Sequence, residues 1–194
     1  MHYLTKILVK YLVENEIVKS ERKEEYIYGI EMIFGKVVNY FTIGVISIIN
    51  RNVMPTLVFA IAFFAMRERT GGYHANTFLR CYVGTTALYL AISLGVTTII
   101  SGKIWIYILV LIFSWIIIIE FAPVNHPNVS LSTEEVSKWR KSSIQMLLII
   151  TVVVSICMVL GVAERCVLYA ILGIGADVIL LYIAKLKGQE VEHV

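Results

Sequence analysis

His74 and Cys81 lie in the stretch 69-RTGGYHANTFLRC-81, between two runs of almost pure hydrocarbon. The chemistry open to such a pair is that of a nucleophilic thiol with an imidazole as base. The alternative is a cysteine that packs a membrane helix end and a histidine that sits at the interface. A thiol acts as nucleophile only where its surroundings favour the thiolate. His74 could supply a base or an imidazolium partner, and Arg67, Arg69 and Arg80 supply positive potential. A helix start would add backbone amides if Asn76 or Thr77 capped it, since Cys81 would then fall in or just after the first turn. On one regular helix the two side chains would share a face but stand roughly 10 Å apart along the axis. Base and nucleophile need about 2.6–3.2 Å. Gly71–Gly72, just before His74, let the backbone turn back. The spacing predicts a turn, then a helix carrying Cys81, with His74 reaching it from the turn.

What must position this pair is a set of membrane helices. Of the 194 residues 58% are hydrophobic, and the mean hydropathy of +0.79 excludes an ordinary soluble domain. The apolar residues come in six blocks, at about 27–49, 53–66, 82–100, 104–122, 144–163 and 166–184. A span needs about 20 residues, so the second block must borrow from its flanks, re-enter, or sit beside a thinned or water-filled region. Residues 2–19 carry Leu4, Ile7, Leu8, Tyr11 and Val18 at helical spacing among lysines and glutamates. That is an amphipathic helix, lying in the interface or packed on the bundle. The expected fold is therefore all-α: a polytopic membrane protein of about six transmembrane helices plus an N-terminal amphipathic interfacial helix. Its parts are an N-terminal segment at 1–26, a six-helix domain at 27–184 with the catalytic connection at 67–81, and a tail at 185–194. No cleavable secretory signal is expected, because no apolar core precedes about residue 30.

The basic residues orient the bundle. Lys6, Lys10, Lys19, Arg22 and Lys23, then Arg67, Arg69 and Arg80, then Lys138, Arg140 and Lys141, and finally Lys185 and Lys187 fall on one side. Arg51, Lys103 and Arg165 fall on the other. This is a positive-inside pattern, which expects both termini and the catalytic connection in the cytoplasm. A cysteine there stays reduced. Cys81, Cys157 and Cys166 form no CxxC pair and no disulfide framework, and the last two read as packing residues.

Other residues have competing readings. Arg67 and Arg69 could hold a substrate carboxylate or stabilise an oxyanion, or they could be structural anchors. Glu68 could orient His74, or it could be a solvated partner for an arginine. Asn76 is a cap or the third member of a Cys-His-Asn arrangement. Pro123, His126 and Pro127 sit in a loop on the same side, which could shape a substrate groove, and His126 could rival His74 as base. Asp177, the chain's one aspartate, falls in the last span. Acids there tend to face the bundle interior, and Asp177 is expected to pair across it, for example with Lys36. With neither HExxH nor a paired Glu–Glu motif, the sequence argues against a metal- or glutamate-dependent protease.

Arg67, Gly72, His74 and Cys81, written R-x4-G-x-H-x6-C between hydrophobic spans, resemble the signature of the accessory gene regulator B family. The stretch 121-FAPVNHPNVSLS-132, followed by Lys138, Arg140 and Lys141, resembles that family's A-P-V-x-x-x-N-K-P-L segment and basic cluster. It departs from the pattern at Val129 and Ser130, where the family tends to have Lys and Pro. The resemblance covers nearly the whole chain. It implies a bacterial membrane cysteine endopeptidase whose partners are the lipid bilayer and an amphipathic propeptide of the AgrD kind. Cys81 would be the nucleophile and His74 the base and acid. Arg67, Gly72, Arg69, Asn76 and Pro123 would bind substrate or support the site. The propeptide would be cut on its C-terminal side, and one of its own thiols or hydroxyls would close a thiolactone or lactone on the acyl-enzyme. The resemblance implies no metal, nucleotide or redox cofactor, and no nucleic-acid partner is expected. A homodimer is open, and the rival class is a non-catalytic exporter of a small peptide.

Overall fold

A computed structural model describes residues 2–15, 17–20, 23–73, 78–124 and 132–188. Among them every regular element is helical. They are α1 (His2–Glu14), α2 (Lys23–Ile49), α3 (Val53–Thr70), α4 (Phe78–Ala91), α5 (Thr97–Ile100), α6 (Ile104–Phe121), α7 (Thr133–Leu160) and α8 (Glu164–Leu186). A π-helical turn, Ile92–Val96, joins α4 to α5, so the run from Phe78 to Ile100 is one helix with a local widening.

Five of these helical runs are long and apolar enough to cross a membrane: those within α2, α4–α5, α6, α7 and α8. The expected second span is α3. Its 18 residues cover about 27 Å, but Arg67, Glu68 and Arg69 occupy its end. The helix runs on through these charged residues to Thr70, and α4 starts at Phe78. Within the stretch 67–81, residues 67–70 thus continue α3 and residues 78–81 belong to α4. The basic cluster at Lys138, Arg140 and Lys141, expected in a loop, is also helical. It lies on the first turns of α7, which start at a capping box. There Ser132 Oγ accepts from the Glu135 amide at 3.3 Å, and the Glu135 carboxylate accepts from the Ser132 amide at 2.9 Å.

The core is built around α8. Its residues are buried almost all round from Val167 to Val178, which is the pattern of a central helix. It packs against α3, α6 and α7, while α2 bridges α3 to α1 and α4. Small residues set the approach. A Cβ at Gly173 would lie 2.9 Å from the Phe59 carbonyl oxygen and 3.2 Å from Ala62 Cβ, and one at Gly175 would lie 3.2 Å from Val110 Cγ1. Two glycines thus admit α3 on one side and α6 on the other, as small residues do between membrane helices. Gly173→Val is expected to push α3 off α8, at about 1–3 kcal/mol. The readout is a lower midpoint of thermal unfolding in detergent. Gly84→Val, with open space around its Cβ, should leave that midpoint in place.

The outer surface is apolar. Ile33, Phe34, Val37, Phe41 and Ile48 on α2 and Trp105, Leu109, Ile112 and Phe113 on α6 are exposed, as lipid-facing residues are. On α1, Thr5 and Val9 are buried, while Ile7, Leu8 and Tyr11 stay exposed. The helix packs on α2 and still presents an apolar face. One end of the bundle is tied by a buried polar cluster in which Asn52 Nδ2 donates to Tyr169 Oη and the Thr56 and Tyr89 hydroxyls meet at 2.6 Å.

Candidate active site

The other end of the bundle holds Arg67, Arg69, Gly72 and Pro123, four of the residues singled out by type and spacing. After α3 the backbone takes two left-handed steps, Gly71 at φ 72° and Gly72 at φ 97°. Glycine adopts these conformations without the Cβ penalty. The chain is then strapped down on two sides. Gly71 forms a parallel bridge with Val124: the Val124 amide donates to Thr70 O at 2.9 Å, and the Gly72 amide donates to Val124 O at 3.2 Å. One residue on, the Tyr73 amide donates to Leu180 O on α8 at 3.0 Å. The Tyr73 ring lies under Lys187 Nζ, 4.6 Å from its centroid, and Nζ also donates to Tyr73 Oη at 3.2 Å.

A Cβ is excluded at Gly71 and would displace Arg67 at Gly72. At Gly71 it would lie 1.8 Å from Val124 O. At Gly72 it would lie 2.2 Å from Arg67 Nη1 and 3.3 Å from Leu181 Cα. The guanidinium therefore fills the space beneath Gly72, from where Arg67 Nη2 donates to Tyr73 O. A helical arginine that folds back onto the backbone six residues later is a brace for the turn.

Beneath this brace lies Asp177, fully buried. Thr70 Oγ1 donates to Asp177 Oδ2 at 2.8 Å, and the Arg67 charge acts on the carboxylate. The expected partner, Lys36, is elsewhere: its Nζ lies 3.0 Å from Glu68 Oε1. That contact also corrects the reading of Glu68 as an arginine's partner. Lys36 and Glu68 both stand at the bundle surface, where an ion pair keeps its hydration, whereas Asp177 lies on the face of α8 that α3 covers. Arg69 Nε donates to Ser142 Oγ at 3.1 Å and its Nη1 to Ala65 O at 2.7 Å, so Arg69 ties α3 to α7.

Cys81 is half-buried at the fourth residue of α4. His74, Asn76, Thr77, His126 and Pro127 lie outside the described residues. The sequence pattern did not mark Thr70, Tyr73, Val124 and Leu180 as part of this end of the fold. Three of the four contribute through backbone atoms, which leave no residue-type signal. Asp177 did leave one, as an acid in an apolar span.

The geometry brings together two stretches far apart in the chain, the Arg67–Tyr73 turn and the Ala122–Val124 segment that follows α6. Pro123 sits inside the second, one residue from the bridge.

The family model described as Accessory gene regulator B matches residues 5–181. A relative named as an AgrB-like protein, from Clostridium perfringens (strain SM101 / Type A), is 22% identical over 183 residues, covering 79% of this chain and 84% of its own. A second, named as AgrB-like protein 2, from Clostridium perfringens (strain 13 / Type A), is 24% identical over 141 residues. That match covers 67% of this chain and 64% of the relative. No solved structure matches.

Proposed function

The chain belongs to the accessory gene regulator B family, and we propose from this that it is a membrane cysteine endopeptidase that cuts and cyclises a quorum-sensing propeptide. Membership itself places it in the agr quorum-sensing system, and its apolar helices make it a membrane protein. The observation that carries the finer reading is the Gly71–Val124 bridge. It joins the two stretches whose residues resemble the family's motifs into one built corner, and α4 opens with the only cysteine near it in sequence.

In the proposed reaction Cys81 Sγ, as thiolate, attacks the scissile carbonyl of an AgrD-like propeptide. The C–N bond breaks, and His74 gives its proton to the departing amine. The N-terminal product stays on Cys81 as a thioester. A thiol or hydroxyl of that same product then loses its proton to His74 and attacks the thioester carbon. The C–S bond to Cys81 breaks, the enzyme thiolate returns and a thiolactone or lactone ring forms. A thioester keeps the acyl group activated, so ring closure into a thiolactone is near balance provided water is held off, and a site at a membrane interface favours this. The orientation that goes with this reading has the site and both termini in the cytoplasm. The exporter reading needs intramembrane charges that line a path. In the structure Lys36 is engaged with Glu68 and Asp177 with Thr70.

The direct test is the acyl-enzyme. Mixing purified protein with propeptide and quenching in acid is expected to leave the N-terminal product bound to the Cys81 peptide, released by hydroxylamine and seen by mass spectrometry. An adduct that persists in Cys81→Ala protein would overturn the proposal.

A further inference from the structure

Asp177 is 0% exposed and lies on the central helix, four residues before Leu181, whose Cα lies 3.3 Å from a Cβ built on Gly72. The carboxylate and the floor of the Gly71–Tyr73 turn therefore share one face of α8. Two routes run from this carboxylate to the turn, one a hydrogen bond and the other a charge interaction at longer range. One passes through Thr70, whose hydroxyl donates to Asp177 Oδ2 and whose carbonyl accepts from Val124 N. The other passes through Arg67, whose charge acts on Asp177 and whose Nη2 holds Tyr73 O. A guanidinium cannot shed its charge, and burying it without a counter-charge is costly. An aspartate is the carboxylate whose short side chain can stay under α3, where Gly173 has already drawn the helices close. Asp177 Oδ1 has no hydrogen-bond partner among the described residues. A carboxylate kept in an apolar bundle on one hydrogen bond and one opposing charge is poorly explained as a stabiliser of helix packing, since an apolar residue of like volume would pack there at no electrostatic cost.

We propose that Asp177 is a positioning residue for the catalytic pair, fixing through Arg67 and Thr70 the turn Gly71–Tyr73 from which the chain enters His74. This rests on the reading of Cys81 and His74 as base and nucleophile. Asp177 touches no reacting atom. It holds Arg67 beneath Gly72, Arg67 holds Tyr73 O, and the residue after Tyr73 is the proposed base.

The experiment needs no propeptide. Full-length protein in nanodiscs is treated with iodoacetamide at pH 7 and pH 10, and the alkylation rate of each cysteine is followed by mass spectrometry, with Cys157 and Cys166 as internal references. The readout is the Cys81 rate at pH 7 divided by that at pH 10, which reports activation of the thiol rather than access to it. His74→Ala is expected to lower this ratio about tenfold. Asp177→Asn, which keeps the volume and removes the charge, is expected to lower it by at least about threefold by the same route, with the Cys157 and Cys166 rates unchanged. Thr70→Val should lower it less. A wild-type ratio in folded Asp177→Asn protein would overturn the proposal while leaving the catalytic pair in place. If Asp177→Asn does not accumulate, Thr70→Val decides: a wild-type ratio there overturns the proposal, and a lowered one supports it. An unchanged ratio in His74→Ala would instead remove the catalytic pair, and the positioning role with it.

Discussion

Cys81→Ala protein is expected to show no measurable propeptide cleavage, a fall of roughly ten-thousand-fold or more, while it inserts and accumulates as before. Cys81→Ser should fare little better, because a hydroxyl paired with a base tuned to a thiol remains a weak nucleophile. His74→Ala should fall comparably, since residues that act as one unit lose most of their effect when either is removed. The measurement is release of the C-terminal fragment from propeptide in proteoliposomes. Cys81 is half-buried, so truncation to alanine removes little packing, and loss of protein is not expected to mimic loss of chemistry. Full cleavage by the Cys81→Ala protein would end the peptidase reading.

The second large effect is expected at the two glycines, in variants that leave both proposed catalytic side chains intact. A methyl group at Gly71 would meet Val124 O at 1.8 Å, so the bridge between the two strapped segments must open. At Gly72 it would meet Arg67 Nη1 at 2.2 Å. The guanidinium is the mobile end of a long side chain and could move aside, but only by leaving Tyr73 O and its place above Asp177. Both positions also sit at positive φ, which resists any Cβ. Gly71→Ala and Gly72→Ala are each expected to lower kcat for cleavage by about a hundredfold, the penalty for misplacing a reacting group by about 1 Å. Gly84→Ala, with nothing within 4 Å of its Cβ, should cleave at the parental rate. Parental kcat in Gly71→Ala protein would show that the bridge does not serve the chemistry.

The helical membrane fold and the family were both legible in the residues. Apolar blocks of span length fix one answer in lipid, because backbone polar groups must be satisfied within the segment. The block ends were less legible. Hydropathy stops at the first charge, whereas the α3 helix continues to Thr70 with Arg67 folded back on its own chain and Arg69 reaching Ser142. The same holds for α7, whose capping box starts it well ahead of its apolar run. Pairing across the bundle was not legible. Asp177 and Lys36 were plausible partners because each stood out against hydrocarbon, yet which faces meet depends on where α3 docks on α8. Gly173 decides that, and a glycine in a span does not announce its neighbour. Nor could the spacing of His74 and Cys81 show that the turn before His74 leans on Val124 and Leu180, whose part is played by carbonyl oxygens and amides.

The dependence of the turn on α8 has a bearing on the order of synthesis. Membrane helices are inserted as they are made, and α8 is the last helix described in this chain. Until it is in place, Tyr73 has no Leu180 carbonyl to bind, and Arg67 has no Asp177 beneath it. Cys81 emerges early, with about half of the chain still to come. An unfinished chain therefore carries the proposed nucleophile without the floor of the turn that leads to the proposed base. On the proposed mechanism, activity would begin only once α8 has inserted.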